Sequence, residues 1–195
     1  MMPLHYALTD GLVCAVAVWG AWHLMRGNKP VGALGVALFA LAAAIGTVRV
    51  TSGLIEPLGV AHRFASQIGG LLGLLLILWQ IFEATIGPVR RFYGLAICVS
   101  AAGLAIIVPV AGAPIYVLAL LSGIALFVLD RLGGKPNIGA ALGFGVMLPN
   151  VLFLRQSSLL GPDLSWHLFH CFIAVWLILT VLALTPKQAE DLAAQ

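Results

Sequence analysis

Long apolar runs, broken at short intervals by glycine, proline and charged residues, make up most of this chain. The breaks divide it into seven apolar segments, at residues 6–25, 31–50, 58–85, 92–110, 113–129, 138–154 and 164–184. Each is close to the roughly 20 residues that a helix needs to cross a hydrocarbon core about 30 Å thick. Helices satisfy their own backbone hydrogen bonds in lipid. The pattern therefore predicts an all-α integral membrane protein, a single bundle of seven transmembrane helices over residues 1–195.

Composition supports this class and excludes others. Of the 195 residues, 62% are hydrophobic and 9% are charged, and the mean hydropathy is +1.08, whereas soluble domains carry roughly 25% charged residues. A soluble enzyme, a nucleic-acid-binding protein and a disordered adaptor are therefore excluded. We expect a protein of a bacterial inner (plasma) membrane, with membrane lipids around it and no nucleic-acid partner.

The distribution of basic residues predicts the orientation. With the N-terminus outside, the inner loops and tail hold seven basic residues, Arg26, Lys29, Arg90, Arg91, Arg131, Lys135 and Lys187. The outer side holds three, Arg49, Arg63 and Arg155. Because lysine and arginine are enriched in cytoplasmic loops, we predict that the N-terminus lies outside and the C-terminus in the cytoplasm.

In this topology most polar side chains that could take part in catalysis or binding lie in the outer leaflet. They are Asp10 in the first segment, Arg49 at the end of the second, His62, Arg63 and Ser66 in the third, Asn150 and Arg155 in the sixth, and His167 and His170 in the seventh. Ionisable residues inside a membrane are costly and mark functional sites. The outer leaflet is therefore the expected location of a site.

The histidines suggest a metal ligand set. His167 and His170 are three residues apart and lie on one helical face, and His62 offers a third imidazole at a similar depth. Zinc accepts such ligands and lowers the pKa of its bound water to about 7. In this hypothesis Asp10 orients or deprotonates the water, and Arg49 or Ser66 polarises a carbonyl group. Alternatively, Asp10 pairs with Arg49 in a polar network that only packs helices.

Three features resemble the CREST superfamily of seven-helix membrane hydrolases, which includes alkaline ceramidases and adiponectin receptors. They are the seven segments, the acidic residue in ALTDGL and the histidine pair in DLSWHLFHCF. The resemblance implies a zinc ion held by one histidine of the second helix and two of the seventh, completed by a serine and an aspartate, and hydrolysis of a lipid amide.

The motifs depart from that family at two places. The histidine pair is HxxH here rather than HxxxH, and the second segment ends in GTVRVTSG, with Thr47 and Arg49 where a serine and a histidine are expected. His62 would have to replace the missing ligand from the third segment.

The leading hypothesis is a membrane-embedded, zinc-dependent hydrolase of a lipid-like amide or ester at the outer leaflet. A second hypothesis is a non-enzymatic structural or partner-binding subunit, working with a membrane-protein partner or as a homo-oligomer. A third is a b-type cytochrome with His62 and His170 as axial haem ligands.

Overall fold

The computed structural model describes residues 3–86, 91–129, 137–157 and 159–185, and no strand occurs among them. Eight α-helices follow one another: α1 (Tyr6–Arg26), α2 (Pro30–Thr51), α3 (Gly59–Phe64), α4 (Gly70–Ile86), α5 (Arg91–Ile107), α6 (Gly112–Val128), α7 (Ile138–Leu152) and α8 (Pro162–Leu184). The all-α prediction is confirmed for this part of the chain.

Among the described residues, five helical stretches are long and apolar enough to cross a bilayer. They are Tyr6–Arg26, Pro30–Thr51, Gly59–Ala84, Pro109–Val128 and Pro162–Leu184. Two further apolar helices, Phe92–Ile107 and Ile138–Leu152, are shorter. Of the basic residues that predict the orientation, Arg90, Arg131, Lys135 and Lys187 lie outside the described residues.

Local sequence explains where several helices begin. Proline stands at the first position of α2 and α8, where its missing N–H group costs nothing and its fixed φ angle suits a helix. The side chain of Asn137 caps α7 by accepting a hydrogen bond from the backbone N–H of Ala140 at 3.0 Å. A 3₁₀ turn, Pro109–Ala111, separates α5 from α6.

The third predicted segment is not one regular helix. A π-helical turn, Ala65–Gly69, joins α3 to α4 without a break in the chain direction. Such turns widen the helix locally and occur often at functional sites. The hydrophobic periodicity of the sequence gives no sign of this turn.

The helices pack in a ring. Neighbours around it are α1, α2, α4, α6, α7 and α8, which returns to α1, while α5 packs against α4 and α6. The backbones of α2 and α4 come close to each other, since a Cβ atom built on Gly35 would lie 2.6 Å from the carbonyl oxygen of Gly73. Close backbone approach through small residues is how helices associate in lipid.

Aromatic side chains fill the middle of the ring. The Trp176 ring is 1% exposed and meets Phe39 and Phe144 edge to face, at centroid distances of 5.3 and 5.5 Å. Edge-to-face pairs of this kind add to the stabilisation that burial provides. This aromatic centre closes the bundle between its two ends, each of which holds a polar cluster.

One polar cluster lies where α2 begins. The Gln80 side chain, 2% exposed, accepts a hydrogen bond from the backbone N–H of Gly32 at 3.2 Å and donates one to Glu83 at 3.2 Å. Gly32 is in the first turn of α2, where N–H groups have no partner within the helix. Gln80 thus supplies from α4 the cap that α2 lacks in its own sequence.

We expect Gln80→Leu to lower the free energy of unfolding by about 1–3 kcal/mol, because it leaves the buried N–H group of Gly32 without an acceptor. Reversible unfolding in mixed detergent micelles measures this difference. The control is Gln67→Leu, the same chemical change at an exposed position. Equal effects of the two substitutions would show that Gln80 has no capping role.

Candidate functional site

A cavity of about 970 Å³ lies at the end of the bundle where α1 and α8 begin and α2 and α7 end. This volume is near the upper end of the roughly 300–1,000 Å³ typical of ligand pockets. Most of the wall is apolar, and its deep part includes Val13, Phe39, Leu71 and Ile173. Such a wall suits an acyl chain or another apolar group.

Asp10 and His170 form the most buried polar contact on this wall. The Asp10 side chain is 1% exposed, and its Oδ1 atom lies 2.9 Å from Nε2 of His170. The distance is that of an ion pair, but hydrogen-bond geometry is lacking, so neither Asp10 oxygen accepts a hydrogen bond from the described residues. Both residues line the cavity.

The other ring nitrogen of His170 is held by its own helix. His170 Nδ1 lies 2.8 Å from the backbone carbonyl oxygen of Trp166. A carbonyl oxygen only accepts, so Nδ1 carries a hydrogen and Nε2 faces the carboxyl group. The imidazole of His170 is thus fixed between the Trp166 carbonyl group and Asp10.

His62 reaches the same place from α3. Its ring is within electrostatic range of Asp10, Arg49 and His170 and interacts with the backbone of Ala42. Its Nδ1 atom is buried with no hydrogen-bond partner among the described residues. His62 lines the cavity together with Asp10 and His170.

Gly46 on α2 makes this convergence sterically feasible. A Cβ atom built there would lie 2.6 Å from Oδ2 of Asp10 and 3.0 Å from Cε1 of His62. Both side chains therefore occupy the space that any other residue would fill. Three buried polar atoms, Oδ1 and Oδ2 of Asp10 and Nδ1 of His62, have no hydrogen-bond partner among the described residues, and buried polar atoms are normally paired with protein, water or a ligand group.

His167, the second member of the predicted histidine pair, is engaged elsewhere. Its Nε2 lies 2.9 Å from Nδ1 of His5, and its Nδ1 lies 3.1 Å from the hydroxyl oxygen of Thr9. Tyr6 donates a hydrogen bond from its hydroxyl to Asp163 and stacks on Trp166. These contacts fasten the beginning of α1 to the beginning of α8 and leave His167 off the cavity wall.

The predicted zinc ligands therefore do not come together as one set. Within the described ranges, no group of three or more His, Cys, Asp or Glu side chains is arranged to hold a metal ion. The zinc ion stays a prediction of the sequence. The haem hypothesis meets a similar obstacle, because both ring nitrogens of His170 already face Trp166 and Asp10.

Two further predicted residues have clear positions. Ser66, in the π-helical turn, lines the cavity and donates its hydroxyl to the carbonyl oxygen of Arg63 at 3.2 Å. Arg49 is half-buried, and its charge acts on His62, but it is not among the residues that line the cavity. Asp10 thus faces His170 directly, whereas the charge of Arg49 acts on His62.

Several polar residues outside the predicted set also form side-chain contacts. His5 and Asp163 join the contacts around His167, and Gln80 and Glu83 are buried at the opposite end. The last two carry a readable signal, since a glutamine and a glutamate three residues apart in an apolar run share one helical face. An unexposed pair of this kind needs a partner on a neighbouring helix.

Comparison with known proteins gives no relative. No protein-family model matches the chain, and no match was found among curated proteins or solved structures. The resemblance to the CREST superfamily therefore stays a prediction from the quoted residues.

The close fit at Gly46 is testable. We expect Gly46→Ala to destabilise the protein by about 1–3 kcal/mol, because the added methyl group overpacks the space held by Asp10 and His62. The matched control is Gly145→Ala on α7, where a Cβ atom would meet nothing within 4 Å. That change should be neutral or stabilise by up to about 1 kcal/mol through helix propensity. Reversible unfolding in mixed micelles measures the free energy of unfolding of the two variants. If Gly46→Ala leaves this free energy unchanged, the close packing of Asp10 and His62 around Gly46 is wrong.

Proposed function

We propose that this chain is a seven-span protein of a bacterial plasma membrane, with its N-terminus outside, and that it hydrolyses a lipid-like amide or ester at the outer leaflet. Five long apolar helices and two shorter ones support the seven spans. The basic residues assigned to the inner loops support the orientation.

The observation that carries the hydrolytic proposal is the buried Asp10–His170 contact on the wall of a mostly apolar cavity. Burial of a carboxyl group that is 1% exposed lowers the stability of the fold unless the group is paired. Buried ionisable groups cluster at functional sites, where they exchange protons or bind ligands. The apolar wall suits the chain of an amphiphile, and the polar wall supplies acid–base groups.

The chemistry needs a water molecule held between Asp10 and His62. Asp10 Oδ2 takes a proton from this water while His62 Nδ1 accepts its other hydrogen and orients it. The water oxygen forms a bond to the carbonyl carbon, and the C–N or C–O bond to the leaving group then breaks. Asp10 returns the proton to the departing nitrogen or oxygen. General acid–base catalysis of this type contributes about 10²–10⁴-fold to a rate.

His170 and Ser66 have supporting parts in this scheme. His170, fixed by the carbonyl group of Trp166, lies 2.9 Å from Asp10 and holds it in place. Ser66 lies on the cavity wall, and turning its hydroxyl from the Arg63 carbonyl toward a substrate would stabilise the developing oxyanion. No step passes through zinc, because the arrangement keeps His167 with His5 and Thr9.

The hydrolytic role is tested with purified protein in lipid nanodiscs, offered acyl amides and acyl esters in turn. Released acyl chains are quantified by mass spectrometry. We expect Asp10→Asn to lower kcat by about 10²-fold or more, because the amide cannot accept the proton from water. Glu56→Gln, at an exposed loop position, should retain full activity.

Two results would contradict this proposal. If the unsubstituted protein releases no acyl chain from either class of substrate, the cavity serves binding alone, as the partner-binding hypothesis holds. If activity disappears on chelation and returns with added zinc, the metal-free scheme is wrong. Melting temperatures of the variants must stay close to that of the parent protein for the comparison of kcat to apply.

The topology is tested by cysteine labelling in intact cells, with Cys14, Cys98 and Cys171 first replaced by alanine. Asn28 and Ser52 are both exposed and follow α1 and α2 respectively. We expect an impermeant maleimide added from outside to label Ser52→Cys but not Asn28→Cys. The reverse pattern would place the cavity at the cytoplasmic leaflet.

A further inference from the structure

Arg155 occupies the rim of the cavity rather than pointing away from it. It lies in the 3₁₀ turn Leu154–Gln156 that follows α7, and it is one of the residues that line the cavity. The guanidinium carbon is 5.6 Å from the centroid of the Phe169 ring, a cation–π distance. Its charge also reaches Tyr116 on the facing wall. The side chain therefore lies against α8 at the rim of the cavity.

This cation has no carboxylate partner in the described part of the chain. The acidic residues there are engaged or distant: Asp10 faces His170, Asp163 accepts from Tyr6, Glu83 pairs with Gln80, and Glu56 is exposed in a loop. A guanidinium beside an apolar cavity binds carboxylate or phosphate in a bidentate manner. The charge at the rim thus lacks a counterion that a ligand would supply.

We propose that Arg155 binds the anionic headgroup, carboxylate or phosphate, of an amphiphile whose chain fills the cavity. This inference rests on the proposed function, since it names the class of molecule that the site accepts. The guanidinium holds the head at the rim, the apolar wall around Phe39 and Leu71 receives the chain, and a donor group between them meets the unpartnered acceptors of Asp10 and His62.

The test measures equilibrium binding of radiolabelled palmitate, hexadecyl phosphate and hexadecanol, which share one chain length, to the protein in nonionic detergent. We expect at least one anion to bind about tenfold more tightly than the alcohol, a difference of about 1.4 kcal/mol. Arg155→Gln should remove this preference, and Arg155→Lys should keep part of it. The matched control is Arg63→Gln, since Arg63 is exposed on α3 and does not line the cavity.

The three ligands distinguish a carboxylate headgroup from a phosphate headgroup. Preference for palmitate alone indicates a fatty acid, preference for hexadecyl phosphate alone indicates a phospholipid head, and preference for both indicates the anion itself. The proposal is overturned if hexadecanol binds as tightly as both anions, or if Arg155→Gln and Arg63→Gln have equal effects. If the protein prefers anions but hydrolyses no substrate, only the hydrolytic role is disproved. If it hydrolyses neutral substrates and shows no preference for anions, only the role of Arg155 is disproved.

Discussion

The burial of one carboxyl group in an apolar bundle constrains everything around it. Asp10 is 1% exposed, and an uncompensated charge in such surroundings costs several kcal/mol. Three neighbouring helices surround the carboxyl group. From α8, His170 lies within 2.9 Å of it, and from α3, His62 approaches it. On α2, Gly46 has no side chain that would keep Asp10 and His62 apart. Three other helices thus contribute to the surroundings of this single acidic residue.

Glycine residues on α2 let groups of neighbouring helices approach its backbone. At its beginning Gly32 receives the side chain of Gln80, in its middle Gly35 meets the backbone of Gly73, and near its end Gly46 makes room for Asp10. The Gln80 and Asp10 clusters therefore each touch α2 through a glycine. A helix without bulky side chains on these faces lets neighbours place polar groups where lipid cannot reach them.

The two ends of the bundle differ in how their polar residues are placed. At the end where α2 begins, Gln80 and Glu83 are buried and bond to each other and to the backbone of Gly32. At the end where α1 and α8 begin, the π-helical turn widens α3–α4 and the Pro109–Ala111 turn separates α5 from α6, and residues of both turns line the cavity. Departures from regular helix thus create the space, and the polar residues that face it retain unpartnered atoms.

The sequence by itself determined the helical class and the end of each helix at which the polar residues lie, because long apolar runs define the helices and fix each residue's position along them. It did not determine which side chains meet. His167 and His170 differ by about 60° around the helix axis, and the rotation of α8 turned one toward Asp10 and the other toward His5. In lipid the outward face of a helix is as apolar as the packed face, so hydrophobic periodicity carries no information about that rotation. Only packing of α8 against α1 decided it, and with it which histidine reaches the cavity.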